Sequence, residues 1–379
     1  EDGIRGQPRS RGLGDVYKRQ VVYGNMVGRR FSRDLLREAL ESFDRSYDSE
    51  VSKNWANKYL PFFAKGKLLY ELSMFEDALA EFDKALKLAD EWDPTEIIFR
   101  RGLTLYQLGR LEESVNDVLP ALIPINDDEL IELAGEHASL YGLSELEAKA
   151  LVLKALLEVS CREFKSGEKT IRDLLSRART PEALTIYADW LYSRGKRNEA
   201  LRVLLGIPRE KRPISALRIL WLIYSDDRDL KPYSLKFIEE ALSRRPNSTA
   251  LMNAKCSTLS EIGRLEEAEE CHRSLVEACK GKIDYFCSRS AYELAYLLET
   301  QKRFEEAEEY YKRSIAMMQF PDYDIYFTYA GMLENLGRVD EAIEYYRLAA
   351  KYARRTLSYG ALGIVFERLG FPREALVNA

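Results

Sequence analysis

Histidine is almost missing from this chain of 379 residues, which has only His137 and His272. A catalytic or metal centre built on imidazoles has little to draw on. His272 falls at a position expected to be a packed core residue, and His137 is expected to face solvent. Cysteine is sparse too, with five: Cys161, Cys256, Cys271, Cys279 and Cys287. An odd number with no dense framework in a long chain favours reduced thiols and a cytoplasmic setting. Cys271, Cys279 and Cys287 are separated by seven intervening residues each, unlike the short paired spacing of a zinc site, so they read as buried thiols. No run of about 18 apolar residues occurs, so membrane insertion is not expected. The Gly- and Arg-rich N-terminal stretch lacks the apolar core of a secretory leader.

An excess of positive charge is lacking as well. Fifty-seven basic residues against 62 acidic ones give a net charge of −5, which argues against a general nucleic-acid binder. The basic clusters at 100–110, 208–212 and Arg244-Arg245 are scattered, with acids between them. Neither a phosphate-binding glycine loop, a G-x-S-x-G elbow nor a His-Glu-x-x-His pair is present. Carboxylate pairs such as Glu266-Glu267, Glu305-Glu306 and Glu308-Glu309 lie at polar helical positions beside Arg or Lys and read as solvated faces. These absences point away from an enzyme, and no cofactor or metal is expected.

What the chain does have is a recurring helical hairpin. Residues 323–354 read as two helices joined at Gly337. Tyr326, Ala330 and Leu333 share one face of the first, and Ala342, Tyr346 and Ala349 share one face of the second. Alanines at these places let two backbones approach closely. One such pair cannot bury its face alone, so neighbours of the same kind are required.

The neighbours recur at about 34 residues. Gly66, Ala78, Phe82 and Ala85 begin the series, followed by Gly102, Gly109, Ser114 and Val118. Ala155, Gly167, Ile171 and Leu174 come next, then Ala188, Gly195, Ala200 and Leu204. A weaker unit holds Ser234, Ile238 and Ala241. Cys256, Gly263, Ala268 and His272 follow, then Ala295, Ala307, Tyr311 and Ser314. The last unit carries Tyr359, Leu362, Gly363, Phe366 and Gly370. Over residues 59–379 this resembles the tetratricopeptide repeat family, in a divergent form with no Trp at the leading position and few closing prolines. The resemblance implies an all-α, right-handed α-solenoid of about eight or nine hairpins.

Helix punctuation agrees. Asp93-Pro94-Thr95-Glu96 and Thr180-Pro181-Glu182 each offer an N-cap, a proline in the first turn and a returning carboxylate. Pro246 ends one unit, with Asn247 or Ser248 capping the next. The period fails at 125–147, where a helix over 127–140, stopped by Gly142, is expected, and Ser144 with Glu147 forms a capping box for the next helix. Pro120 and Pro124 are expected to disrupt the helix before it. The domain reading is a non-native-looking leader at 1–20, an N-terminal sub-array at 21–124, an irregular helical junction at 125–147 and a C-terminal array at 148–379. The last repeat reads as incomplete. An amphipathic helix is expected over 31–47.

In the family, first helices line a concave groove, and that is where the resemblance places partner binding. The groove-facing positions are Phe63, Lys67 and Tyr70, then Phe99, Leu103 and Tyr106. Further along they are Asp189 and Tyr192, Asn253 and Ser257, Tyr292 and Tyr296, and Phe327 with Glu334. Aromatic side chains on a rigid concavity suit a captured peptide or helix. Members that clamp a chaperone tail use Lys and Asn where this chain has Phe63, Lys67, Phe99 and Leu103, so that role is not expected. The expected function is a monomeric, non-catalytic scaffold or adaptor holding a protein segment. The alternatives are a structural subunit of a larger assembly and the regulatory region of a longer protein.

Overall fold

The computed structural model describes residues 40–43, 58–89, 93–352, 363–366 and 369–370. The stretch 1–20, nearly all of the helix expected over 31–47, and Tyr359 and Leu362 lie outside these residues. Between Leu60 and Tyr352 there are eighteen α-helices, and no strand occurs among the described residues. The chain divides into two compact units at Leu108 and Gly109, with residues 91–93 counted in the second.

In the first unit, α1 (Leu60–Glu71) and α2 (Phe75–Leu88) pack as a hairpin, and α3 (Thr95–Gln107) lies against α2. Gly66 permits the close approach, since a Cβ there would stand 2.7 Å from the Phe82 ring. Ala78, Phe82 and Ala85 are fully buried, and Phe63, Leu69 and Ile97 complete the core, with Leu40 packed on its edge.

The second unit begins with α4 (Leu111–Leu122), α5 (Asp128–Glu136) and the single turn α6 (Ala138–Tyr141). Six hairpins follow: α7 (Glu145–Ser160) with α8 (Phe164–Arg177), α9 (Pro181–Ser193) with α10 (Arg197–Gly206), and α11 (Ile214–Ser225) with α12 (Leu235–Arg244). The rest are α13 (Thr249–Glu261) with α14 (Leu265–Ala278), α15 (Tyr285–Thr300) with α16 (Phe304–Met317), and α17 (Tyr323–Asn335) with α18 (Val339–Tyr352). Each second helix packs on the first helix of the next hairpin. First helices also meet one another, α7 with α9, α9 with α11 and α13 with α15, whereas successive second helices make no comparable contact. The first helices therefore form the inner layer of the stack.

The repeat residues behave as the periodicity requires. Tyr326, Ala330, Leu333, Ala342, Tyr346 and Ala349 are all buried. Gly263 and Gly337 turn their hairpins with φ of 83° and 78°, and Arg162 and Lys302 adopt the same left-handed turn at 59° and 63° where glycine is lacking. The carboxylate pairs do more than face water. Arg273 on α14 donates to Glu306 at 2.8 Å, Arg303 to Glu269 at 2.9 Å, and Arg338 to Glu308 at 2.6 Å. These arginines hold the Glu306 and Glu308 carboxyls down at about 2. Long side chains thus tie together second helices whose backbones stand apart.

Several local expectations need correction. Pro120 sits inside α4 without breaking it; the carbonyl it leaves unbonded belongs to exposed Asn116 and can be hydrated. The helix expected over 127–140 is interrupted at His137 into α5 and α6. Gly142 ends α6 at a φ of 66°, and the Ser144–Glu147 capping box is present. Ser248 caps α13 by accepting from the Leu251 amide at 3.3 Å. Helix α3 starts at Thr95 with Pro94 in the cap position. Thr180 precedes α9 in extended conformation, but its hydroxyl and the Glu182 carboxylate turn to Tyr141 and so form no capping box.

The thiols are the largest correction. Cys256 on α13 is bonded to Cys271 on α14, and Cys279 after α14 to Cys287 on α15. Packing within a hairpin brings Cys256 and Cys271 together from 15 positions apart, and the short connection from α14 to α15 does so for Cys279 and Cys287, 8 positions apart. Each closure is worth about 2–3 kcal/mol by the chain-entropy account. The four cysteines are expected to take up an alkylating reagent in denaturant only after reduction, and reduction is expected to lower the unfolding midpoint. Labelling of these four without reductant would refute the pairing.

Candidate functional site

The irregular segment lies across the inner layer. Helix α5 packs on the first helices α7, α9 and α11, and the turn before it reaches α13. Its acidic start carries the polar contacts. Arg218 on α11 donates to both carboxylate oxygens of Asp127, at 2.8 and 3.0 Å. Those two bonds come from one guanidinium nitrogen, whereas Arg245 grips Asp128 with two nitrogens, one to each oxygen, at 2.7 and 3.0 Å. The Ile214 amide at the start of α11 donates to Glu129. Asn126, buried and left-handed, accepts at its carbonyl from the Ser215 hydroxyl at 2.8 Å and donates from its amide to Ser248 at 3.3 Å. At the other end Tyr141 donates to Glu182 at 2.6 Å, and His137 lies 3.1 Å from the same buried carboxylate. His137 is thus paired, contrary to the solvent-facing expectation. Leu130, Ile131 and Ala134 fill the space beneath.

This seat changes the meaning of Asp189. Its side chain lies near Arg218, which Asp127 already occupies, and burial with the like charge of Asp127 pushes its carboxyl up to about 6. Tyr192 is half-buried and donates to Asp226 at 2.6 Å. Both are only partly exposed.

In the first unit, Phe63, Phe99 and Leu103 are core residues, with Leu103 wholly inaccessible. The expected register put them in the groove because they follow the leading position, but all three are buried, and Phe63 packs on the Phe82 ring in the core that includes Ile97. Lys67 reaches Glu96 at 3.7 Å and lies over the Phe63 ring. Tyr70 stands edge-on to Phe75 and accepts from Gln107 at 3.4 Å, and Tyr106 is half-buried.

The remaining positions converge on α13, α15 and α17. Tyr285, Arg289, Tyr292 and Tyr296 stand at i, i+4, i+7 and i+11 on α15, which places them in one stripe. Tyr296 is 53% and Tyr285 48% exposed. The Arg289 guanidinium lies 4.7 Å from the Tyr292 ring centre and pairs with Glu293 at 3.2 Å. Beside them on α17, Phe327 stacks on Tyr323 at 5.3 Å. Glu334 accepts from Tyr346 at 2.9 Å. Hydrogen bonds cross between the helices: Ser257 to Glu293, and the hydroxyls of Tyr292 and Thr328 at 3.2 Å. Asn253 is half-buried next to Ser257, whose hydroxyl donates to its carbonyl at 2.9 Å. Tyr285, Arg289 and Tyr323 were not among the expected residues; steps of 4, 7 and 11 counted back from Tyr296 reach Tyr292, Arg289 and Tyr285 and would have found the first two.

One cluster has the order of a hydrolytic triad. The Ser290 hydroxyl is 2.7 Å from His272 Nδ1, and Nε2 is 3.7 Å from Glu293. Ser290 and His272 are fully buried, however, and burial holds the imidazole down at about 4. A hydroxyl closed off from solvent reaches no substrate, so the packed-core reading of His272 stands. Among the described residues no His, Cys, Asp and Glu cluster could hold a metal ion.

Residues 63–129 and 292–356 match one tetratricopeptide-repeat family model, and residues 248–319 match another. Among solved structures the chain is similar to PilF of Pseudomonas aeruginosa, at 20% identity over 52% of this chain and 88% of that one, with a TM-score of 0.43. It is similar to MamA at 19% identity over 41% and 87%, with a TM-score of 0.32. A monomeric mutant of IFIT1 with m7Gppp-AAAA shares 15% identity over 90% and 85%, with a TM-score of 0.43. Comparison of the sequence with curated proteins gives no significant match.

The Asp189 carboxyl titrates at about 6 against an ordinary 3.8, so between these values the folded chain holds a proton that the unfolded chain has lost. The cost of ionising it in place is fully present above about pH 6 and fades as pH falls towards 4. Asp189→Asn is expected to stabilise the chain by up to about 3 kcal/mol at pH 8 and to have little effect near pH 4. Equal effects in thermal unfolding at both pH values would show that the buried carboxylate is not responsible.

Proposed function

The chain is a tetratricopeptide-repeat protein, and on that premise we propose that it is a non-catalytic scaffold holding a segment of a partner protein on the inner face of α13, α15 and α17. The observation that carries this reading is the stripe of Tyr285, Arg289, Tyr292 and Tyr296, exposed at Tyr285 and Tyr296 and half-buried between them, beside half-buried Tyr323 and Phe327. Aromatic side chains with few rotamers and one polar end are the residues that most often dominate interface energy. The inner face between α7 and α11 is covered by α5, which leaves the later repeats as the accessible part. Within the expected groove set, Tyr292, Tyr296 and Phe327 are the contacts, with Asn253, Ser257 and Glu334 as their polar surroundings. Lys67, Tyr70 and Tyr106 are at most secondary contacts.

No helix among the described residues is long and apolar enough to cross a membrane. A cytoplasmic setting is reconciled with two disulfides in one case, a heat-adapted cell, where intracellular disulfides are common. The scarcity of Gln as well as His, and the abundance of Glu, Arg and Lys, point the same way.

Tyr296→Ala and Phe327→Ala are each expected to weaken capture of the partner from the source organism by on the order of tenfold or more, which corresponds to about 1.4 kcal/mol. Helical content should be unchanged for Tyr296→Ala, whose side chain is largely exposed. Sedimentation should show a monomer. Undiminished capture by both variants would overturn the reading.

A further inference from the structure

The contacts of α5 have the form of a bound ligand. Asn126, Asp127, Asp128 and Glu129 each bond to residues 85 to 122 positions away in the chain, all between Ile214 and Ser248. The receiving side is basic: Arg218 rises from the first helix α11, Arg245 stands before α13, and the opening amide of α11 completes the site. A positive helix start meeting consecutive carboxylates is favourable electrostatics at both partners. We propose that this surface is a binding site for an acidic helix start, filled in cis by residues 126–129, and that a partner segment with the same chemistry competes for it. The occupant is defined by what is seated there now: two or three consecutive acids opening a helix, followed by aliphatic residues at the places of Leu130, Ile131 and Ala134.

Three features mark the cis segment as replaceable. Helix α5 has nine residues and α6 four, both below the length at which an isolated helix holds together, so their order derives from docking. The segment is bounded by left-handed residues, Asn126 at one end and Gly142 at the other. The seat is also imperfectly satisfied. Arg218 keeps a buried Nε with no acceptor among the described residues, and Asp189 beneath it is forced towards its neutral form. Where packing alone is needed, apolar residues serve as well as buried ion pairs or better, so retained pairs suit recognition more than stability. The site is separate from the aromatic face of α15 and α17, although a partner for it rests on the scaffold reading.

The test uses the full chain with Asp127→Asn, Asp128→Asn and Glu129→Gln, and a labelled peptide of residues 123–142 as probe. Vacating the site removes the competitor, so apparent affinity rises by the inverse of the fraction previously open. The variant is expected to bind the peptide on the order of tenfold tighter than the unaltered chain. Binding should be lost when Arg218→Gln and Arg245→Gln are added, or when the peptide carries the same three neutral replacements. A folded variant that binds no better than the unaltered chain overturns the proposal. If the variant does not fold, hydrogen exchange in the unaltered chain decides. Amides of 127–136 should exchange through local undocking, faster than those of α13 and α14, whose opening needs the stack itself to unfold. Equal protection of the two overturns it. Tyr296→Ala and Phe327→Ala should leave peptide binding unchanged, so failure here and failure of the aromatic-face reading are distinguishable.

Discussion

Two amphipathic helices packed side by side still leave an apolar face open above and below, and this shortfall governs the whole second unit. Each hairpin has to be covered by the next. Alanine at 188, 200, 268, 295, 307, 330, 342 and 349, fully buried in every case, sets how near the backbones come. Large residues such as Tyr311 and Tyr329, which stack at 5.2 Å, fill the space between successive hairpins. Successive first helices also meet one another, whereas successive second helices make no comparable contact. The arginine–glutamate links across α14, α16 and α18 span the wider side, where backbones are too far apart to pack.

An inner layer built this way is a surface that something should cover, and the chain covers part of it itself. Burying Asp127 and Asp128 would be costly for lone carboxylates. It is tolerated because both oxygens of each accept from a guanidinium and each lies at a helix start. The aliphatic side of α5 supplies the contact area, and the charged end supplies register. Beyond α13 the inner face has no such cover among the described residues, and there it changes character to tyrosine and phenylalanine.

The fold was legible because its determinants recur at short range. Small residues at fixed spacing, glycines at hairpin turns and a capping box at Ser144 are local signals, and the buried residues of α17 and α18 are the ones their spacing picks out. The site was legible only in part. Asp189 was assigned to an open groove because nothing near it in sequence reports that residues 126–129 return to lie over it. Phe63, Phe99 and Leu103 were assigned there because a family register fixes the turn of the helix but not how far each hairpin rotates on its neighbour. The disulfides were missed because spacing along the chain says little about distance across a hairpin, where Cys256 and Cys271 have Cα atoms 5.4 Å apart.

Those disulfides fall on the helices that carry the exposed aromatics. Cys256–Cys271 joins α13 to α14, and Cys279–Cys287 joins α14 to α15. Helix α15 is also bonded to α13 through Ser257 and Glu293 and to α17 through Tyr292 and Thr328. A helix held on both sides and stapled at its start loses little further freedom when a partner docks, and affinity depends strongly on how much ordering remains to be done. The arginine stacked on Tyr292 and the paired rings of Tyr323 and Phe327 are likewise held before any contact is made. In the α5 seat, by contrast, order comes from the docking itself. One inner face thus combines a preorganised platform with a stretch whose occupant is part of the chain.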